Sequence, residues 1–480
     1  MKGHLLRTKT IESLLQSSGS NSSLKRELGA FDLTLLGIGA VIGTGIFVLT
    51  GTGAIQAGPA LSISFVIAAM ACMFSALSYA EFASTVPISG SVYTYTYATL
   101  GEFFAWIIGW DLILEYLLAV SSVSVGWSGY FQSFLSGIGI KFPQAVSAAP
   151  GTVEGATTYI NLPAVLIIIA ITFVLSIGMK ESKRLNNIMV LLKVAVVLLF
   201  IIVAVFYVKP SNWVPFMPFG LKGVFSTAAL LFFAFIGFDA VASAAEETIN
   251  PAKNLPKGII ASLLVCGLLY VAVSLIMTGV VPYASFSQAI DRPVALVLQI
   301  AGQNWIAGII SVGAVLGMTT VMLVMLYGQT RIMYAMSRDG LMPKFLSKVH
   351  PKYKTPYGAT WIFGVLAACL GGFIPLDELA SLVNIGTLSA FTLISVAVLV
   401  LRKTKPDLKR AFKCPGVPVV PSLAIFFCLF LMTQLSAETW IRFVVWLAIG
   451  MVIYFTYSRK HSHLNADQTG VGNKATTHKM

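Results

Sequence analysis

No Asp, Glu, Lys or Arg occurs between Leu33 and Ala80, and an uncharged run of this length is typical of segments that lie in lipid. Apolar runs long enough to cross the roughly 30 Å hydrocarbon core recur along the chain. Only 11% of the 480 residues are charged and 57% are hydrophobic, whereas roughly 25% of residues in a soluble domain are charged. The sequence therefore predicts an all-α membrane protein.

Hydropathy predicts one transmembrane domain, 25–460, between two flexible polar tails, 1–24 and 461–480. No apolar segment of the signal-peptide type precedes the first span, so we expect no cleaved leader. Helices 1–5 are expected at about 31–208, helices 6–10 at about 221–401 and helices 11–12 at about 417–458. The twelve expected spans are 33–56, 60–80, 103–131, 162–179, 188–208, 223–245, 259–281, 306–334, 359–374, 378–401, 418–436 and 439–457.

The distribution of Lys and Arg predicts the orientation in the membrane. The net charge is +13, and most of the 32 basic residues fall in the two tails and in the loops on the same side. This asymmetry follows the positive-inside rule and predicts that both termini are cytoplasmic. Anionic lipid headgroups are a sufficient partner for this charge, without nucleic acid. The exceptions are Lys141, Lys209, Lys222, Arg292 and Arg442 on the other side, and Lys193 within a span.

The stretch GAVIGTGIFVLTG, residues 39 to 51, predicts a break in the first span. Each glycine weakens a helix interior by roughly 1 kcal/mol relative to alanine, and a broken helix in lipid must face protein or a wet cavity. The amides of residues 43–45 would attract a carboxylate, and the carbonyls near Val41 and Ile42 would suit an ammonium group. The alternative is close helix packing, which small residues four apart also favour.

A second break is predicted in the sixth span, within LLFFAFIGFDAVASAAEETINP, residues 230 to 251. Gly237 follows an aromatic run, and Asp239 is a residue type that favours the N-cap of a short helix. Interruptions five spans apart indicate two inverted repeats of five helices, with the substrate site between them. Helices 11 and 12 would lie outside this repeat.

Four ionisable residues are predicted to lie within spans, where charges are costly and often functional. Asp111 and Glu115 share one face of the third helix. Lys193 is the one charge of an otherwise apolar fifth span. Either its stem reaches the cytoplasmic headgroups, or its ammonium group is buried beside the first break and exchanges a proton during turnover. Glu115 would then be a carboxylate on the same proton pathway, and Asp239 is most simply a cap.

Other chemistries lack their residues in this sequence. All five His residues lie in tails or loops, and the five Cys residues show no metal or disulfide spacing. No phosphate-binding loop for ATP and no repeated basic residues of a voltage sensor occur. We therefore expect no enzyme, no metal and no cofactor. A membrane sensor of amino acids is disfavoured because neither tail is long enough for a signalling domain.

The chain resembles the amino acid–polyamine–organocation superfamily, in particular bacterial relatives of the animal cationic amino acid transporters. The resemblance runs from about Leu28 to Arg459. It rests on five motifs in order: GIGAVIGTGIF (37–47), YAEFASTVPISGSVYTY (79–95), GWDLILEY (109–116), FFAFIGFDAVASAAEE (232–247) and RIMYAMSRDGLMP (331–343).

This resemblance implies a LeuT-like fold with helices 1 and 6 unwound, and proton-coupled uptake of amino acids across the plasma membrane. It implies that backbone groups of the two breaks bind the substrate's carboxylate and ammonium, that the Phe233 ring covers it, and that Lys193 occupies the sodium site of sodium-coupled relatives. Glu115 matches the carboxylate on helix 3. The implied substrate-binding residues are Val41, Ile42, Gly43, Thr44, Gly45, Phe233, Ala234, Ile236 and Met325.

Met325 on helix 8 is bulkier than its counterpart in animal cationic members, which favours neutral amino acids over arginine or lysine. Two alternatives stay open within transport: an amino acid exchanger, and a cationic amino acid transporter without net proton flow. The sequence names neither the substrate nor any small membrane subunit.

Overall fold

The fold is known from a computed structural model, which describes residues 7–8, 26–85, 91–153, 157–178 and 183–464. Within these ranges the chain is helical, without a β-strand, and one isolated bridge pairs Leu28 with Thr248. The α-helices are α1 (Ala30–Val41), α2 (Thr50–Ala57), α3 (Leu61–Thr85), α4 (Ser91–Thr99), α5 (Glu102–Gly137), α6 (Leu162–Ser176), α7 (Lys183–Ala204), α8 (Gly220–Leu231), α9 (Ala240–Ser243), α10 (Pro251–Val280), α11 (Pro293–Ile300), α12 (Asn304–Arg338), α13 (Tyr357–Phe373), α14 (Leu376–Thr404), α15 (Val419–Thr433), α16 (Ala437–Ile453) and α17 (Arg459–His461).

In the described part of the chain, eight helical segments are long and apolar enough to cross a membrane, and four shorter helices are also apolar. This confirms the prediction of an all-helical membrane protein. The eight are Gly45–Thr85, Glu102–Gly137, Asn186–Tyr207, Gly220–Ala242, Pro251–Val280, Asn304–Arg338, Leu376–Thr404 and Ala437–His461. The four are Ala30–Val41, Leu162–Ser176, Tyr357–Phe373 and Val419–Thr433.

Hydropathy missed the polar start of one helix and two helices that are too short to cross a membrane. The helix expected from residue 259 begins at Pro251, since proline suits the first helical position. Hydropathy missed its first two turns because they carry Lys and Asn. The short helices α4 and α11 lie where only loops were expected. Residues 86–90 of the second motif lie outside the described residues.

The long helices α5 and α12 pack against each other in antiparallel order along their length. A Cβ atom added to Gly109 would lie 2.7 Å from the Met336 sulfur, and one added to Gly328 would lie 2.6 Å from the Tyr116 ring. Small residues let membrane helices approach this closely. Both helices contribute buried residues to the centre of the protein.

A buried ion cluster joins α3 to α14 and the loop that follows it. Glu81 accepts hydrogen bonds from Arg402 Nε at 2.9 Å, from Arg402 Nη2 at 2.8 Å and from the Cys414 amide at 2.7 Å. The Arg410 Nε atom lies 3.1 Å from Glu81 Oε1. The buried carboxylate therefore has two cationic partners and a backbone amide.

Parts of both predicted tails contact the start of α5. The Glu102 amide donates to the Arg7 carbonyl at 2.8 Å, and the buried Ser462 hydroxyl donates to the Glu102 carboxylate at 2.5 Å. Of these two tails, the structure describes Arg7, Thr8 and residues 461–464.

Candidate functional site

The first break lies in the glycine-rich stretch. The helix α1 ends at Val41, Ile42 is extended with φ −73° and ψ 104°, and a π-helical turn runs over Gly45–Leu49. Gly43 and Thr44 lie between the two helical pieces. Their amides therefore stand at the start of a new helical segment, where backbone N–H groups have no partner in a preceding turn.

The second break follows α8. A 3₁₀ turn covers Phe232–Phe235, Ile236 is extended, and Gly237 has a φ of +117°, which glycine adopts without strain. The helix that follows, α9, is only four residues long. Asp239 stands at its N-cap position as predicted, but its side chain makes no capping hydrogen bond. The helix continues no further because a 3₁₀ turn and then Asn250 and Pro251 redirect the chain.

The two breaks cross each other at backbone contact. A Cβ atom added to Gly45 would lie 2.4 Å from Ala234 Cα, and one added to Gly237 would lie 2.9 Å from the Ala40 carbonyl oxygen. The Tyr270 hydroxyl, from α10, lies 2.9 Å from the Val41 carbonyl oxygen and 2.9 Å from that of Ala234. Glycine at both crossings, and one tyrosine between them, hold the broken segments together.

A small cavity of about 20 Å³ lies where the breaks meet α5 and α12. A volume of this size holds about one water molecule, whereas ligand pockets are usually roughly 300 Å³ or more. The cavity must therefore widen to take an amino acid. It is lined by Ala40, Val41, Gly43, Thr44, Gly45, Ala119, Val123, Phe233, Ile236, Val321 and Met325.

Two of the nine expected substrate-binding residues, Ile42 and Ala234, do not line this cavity. The Ile42 carbonyl lies 3.4 Å from Lys193 Nζ, and the Ala234 carbonyl accepts the Tyr270 hydroxyl. In this arrangement these two carbonyls therefore face side-chain donors and not the cavity, where the substrate's ammonium group was expected. Each already has a donor from a neighbouring helix.

Lys193 lies at the first break. Its Nζ atom donates to the Gly39 carbonyl at 2.7 Å, and the side chain is 1% exposed. Its stem passes Gly317 of α12, where an added Cβ would lie 3.3 Å from Lys193 Cγ. The ammonium group thus faces the last carbonyls of α1 rather than the headgroup region.

The carboxylates form a second group. Glu115 and Asp239 are both 2% exposed and interact electrostatically, and the Tyr116 hydroxyl donates to Asp239 at 3.1 Å. Among the described residues, no hydrogen bond or ion pair joins Glu115 to Lys193. The two expected proton-coupling residues therefore have different partners: Lys193 contacts the end of α1, and Glu115 interacts with Asp239.

Sequence reasoning missed five residues that shape the site. Ala119 and Val123 line the cavity one and two turns beyond Glu115 on α5, and Val321 lies one turn before Met325 on α12. The spacing of four residues along each helix was a usable signal for these three. Ala40 and Tyr270 carried no such signal, because their roles depend on the crossing of the breaks.

Comparison with known proteins agrees with these features. The sequence model of the amino acid permease family matches residues 28–456. The chain is 73% identical to the branched-chain amino acid permease BcaP of Bacillus subtilis (strain 168), over 97% of this chain and 100% of that protein. It is 57% identical to the methylthioribose transporter of the same organism, over 96% and 99% of the two chains.

A third relative, the branched-chain amino acid permease BcaP of Lactococcus lactis, is 36% identical over 89% of this chain and 94% of its own. These relatives are transporters and permeases rather than enzymes. The family match covers the spans, both breaks and the cavity. The chain therefore belongs to the amino acid permease family of the amino acid–polyamine–organocation superfamily, and it is a multi-pass cell membrane protein.

Proposed function

We propose that this permease takes up neutral L-amino acids, branched-chain ones foremost, together with protons by alternating access. The observation that carries the proposal is the cavity at the crossing of two helix breaks. Its walls offer backbone groups on one side and apolar side chains on the other.

The apolar side of the cavity supports a neutral, aliphatic substrate. Ala119 and Val123 of α5 face Val321 and Met325 of α12, and none of the described residues that line the cavity is acidic. A cationic side chain would therefore be desolvated there without a counter-charge. The names of two relatives, branched-chain amino acid permeases, favour the same substrate class.

The backbone side supports recognition of the amino acid's ends. The amides at Gly43, Thr44 and Gly45 begin a helical segment and suit a carboxylate. The Ile236 carbonyl suits the ammonium group, whereas the Phe233 carbonyl already accepts the Ile236 amide at 3.2 Å. The Phe233 ring lies at the cavity wall to cover the substrate. A cavity of about 20 Å³ fits a closed stage of the transport cycle.

Proton coupling is proposed for Lys193. Its ammonium group lies between helix-end carbonyls, a position where a sodium-coupled protein would bind a sodium ion. Loss of the proton weakens its bonds to Gly39 and Ile42 and loosens the first break. Glu115, with Asp239, forms a second proton-carrying group beside the cavity.

The architecture that serves this cycle is a LeuT-like one in our proposal. In it the helices form twelve spans, with α1 and α2 as the halves of the first and α8 and α9 as the halves of the sixth. The first ten form two inverted repeats within one domain, 25–460, and the last two lie outside them. Both termini, 1–24 and 461–480, are cytoplasmic, in keeping with the distribution of basic residues.

The test is uptake of labelled valine, leucine and arginine into proteoliposomes with an alkaline interior and no internal amino acid. We expect valine and leucine to accumulate without sodium, and arginine to compete poorly. Uptake that requires internal amino acid would identify an exchanger. Accumulation that requires sodium would contradict proton coupling.

Methylthioribose is a second candidate substrate, because a relative with 57% identity is named a transporter of it. This compound has neither the carboxylate nor the ammonium group that the breaks would bind. We expect leucine to inhibit the uptake of labelled valine more strongly than methylthioribose does. Inhibition of this uptake by methylthioribose but not by leucine would favour the second candidate.

A further inference from the structure

A second, larger cavity of about 690 Å³ shares no lining residue with the cavity at the helix breaks, and several exposed side chains line it on the outer face of the helix bundle. The stacked Trp110 and Trp446 rings, with centroids 4.3 Å apart, contribute to its lining from α5 and α16. Ile362 and Leu366 of α13 form the opposite wall and are 40% and 46% exposed. Because these helices cross the membrane, the groove opens to lipid rather than to water.

The dimensions of the groove match one leaflet. It runs from Trp446 to Tyr457, along α16 and the π-helical turn Tyr454–Ser458 that continues it, about 16 Å at 1.5 Å per residue. Half of the hydrocarbon core is about 15 Å thick. Thr456 and Tyr457 lie at one end, and the lining elsewhere is apolar. An acyl chain fits this shape and polarity.

The polar end of the groove is basic. Phe345 and Leu346 line the groove and directly follow the exposed Lys344. Their loop lies beside this end, because the Ser458 hydroxyl donates to the Leu341 carbonyl at 2.6 Å. Tyr457 also lines it, and the exposed Lys460 lies one helical turn further on. Residues 331 to 354 contain six Lys or Arg and one acidic residue, Asp339, whose carboxylate accepts the Tyr93 hydroxyl at 2.7 Å.

We propose that this groove, between α5, α13 and α16, is a binding site for an anionic phospholipid, with an acyl chain along Trp446 and Leu366 and the phosphate beside Lys344 and Lys460. The apolar lining selects a lipid chain, and the lysines select a negative headgroup. A zwitterionic lipid supplies the chain without the net charge and binds more weakly.

Cys369 provides a reporter inside the groove. It lines the cavity and is exposed, whereas Cys72, Cys266, Cys414 and Cys428 are buried. Burial also raises the pKa of the Cys414 thiol, in the loop after α14, to about 11, so this thiol stays protonated at neutral pH. Alkylation of the folded protein by N-ethylmaleimide therefore reports on Cys369, and Cys369→Ser is the blank.

The experiment measures the labelling rate of Cys369 in detergent at low salt, with added phosphatidylglycerol or phosphatidylcholine at equal mole fraction. We expect phosphatidylglycerol to protect at a roughly 30-fold lower concentration, since each lysine near the headgroup favours it about fivefold. The double variant Lys344→Gln/Lys460→Gln should lose this preference. The control Lys141→Gln/Lys209→Gln, at exposed positions in other loops, should keep it.

Three outcomes would overturn the proposal. Equal protection by the two lipids would leave the groove without headgroup selection. Protection that rises with protein concentration would identify a second copy as the occupant. Protection without lipid that disappears when residues 465–480 are deleted would identify the protein's own tail.

Discussion

Two buried charges in this protein are held in opposite ways. Glu81 contacts two arginines and a backbone amide, whereas the ammonium group of Lys193 lies against the backbone carbonyls of Gly39 and Ile42. Among the described residues, no carboxylate pairs with Lys193.

The difference concerns what happens when the charge is lost. Neutralising Glu81 leaves the buried Arg410 guanidinium and the partly exposed Arg402 guanidinium without their counter-charge, which is costly. Neutralising Lys193 leaves two carbonyl dipoles and no orphaned ion. The first arrangement holds a fixed charge, and the second permits a charge that changes during a cycle. This contrast is the physical basis for assigning the cycle's proton to Lys193.

The largest expected effect is on the fixed charge. Glu81→Gln should lower the free energy of unfolding by roughly 3 to 5 kcal/mol, because it breaks a buried ion cluster. The measurement is thermal unfolding in detergent. Glu378→Gln is the control, since the Glu378–Arg442 pair, at 2.6 Å, is largely exposed and contributes about 0 to 1 kcal/mol. If the two variants were equally stable, the buried Glu81 cluster would contribute no more than an exposed ion pair.

The next effect tests whether the first break is a packing device as well as a binding site. Gly45→Ala places a Cβ atom 2.4 Å from Ala234 Cα and should destabilise the protein by roughly 1 to 3 kcal/mol. Gly43→Ala meets only the Val321 side chain, at 3.1 Å, so it should keep the fold and weaken valine binding. Thermal unfolding and valine binding separate the two. If Gly45→Ala is as stable as Gly43→Ala, the breaks do not cross as described.

A smaller effect is expected at the apolar wall, away from both buried charges. Met325→Ser enlarges the cavity and should weaken valine binding by roughly tenfold, because a hydrophobic contact is lost. Longer side chains, including arginine, should compete better than before. Competition by alanine, leucine and arginine measures the change. An unchanged ranking would place Met325 outside the substrate's reach.

Much of this arrangement was predictable from residue types and spacing. Uncharged runs predicted membrane helices, and clustered glycines predicted where the first helix ends. The isolated Lys193 signalled a special environment. The partners of these groups were not predictable, because they come from helices distant in sequence. Tyr270, 229 residues from Val41, bonds to both breaks only because α10 passes their crossing. The bonds of Ile42 and Ala234 have the same origin.

The central claim is that Lys193 carries the coupling proton. The measurement is valine accumulation driven by a pH gradient, inside alkaline and without sodium, compared with valine exchange in the same proteoliposomes. Lys193→Gln retains a hydrogen-bond donor without a titratable charge, and Lys193→Arg retains a proton that arginine does not release. Lys257→Gln makes the same change at an exposed lysine of α10 and is the matched control.

The account predicts that Lys193→Ala, Lys193→Gln and Lys193→Arg lose gradient-driven accumulation, that Lys193→Gln still exchanges valine, and that Lys257→Gln still accumulates it. Accumulation by Lys193→Arg at the level of the unmodified protein would contradict the account, because a permanent positive charge would then suffice.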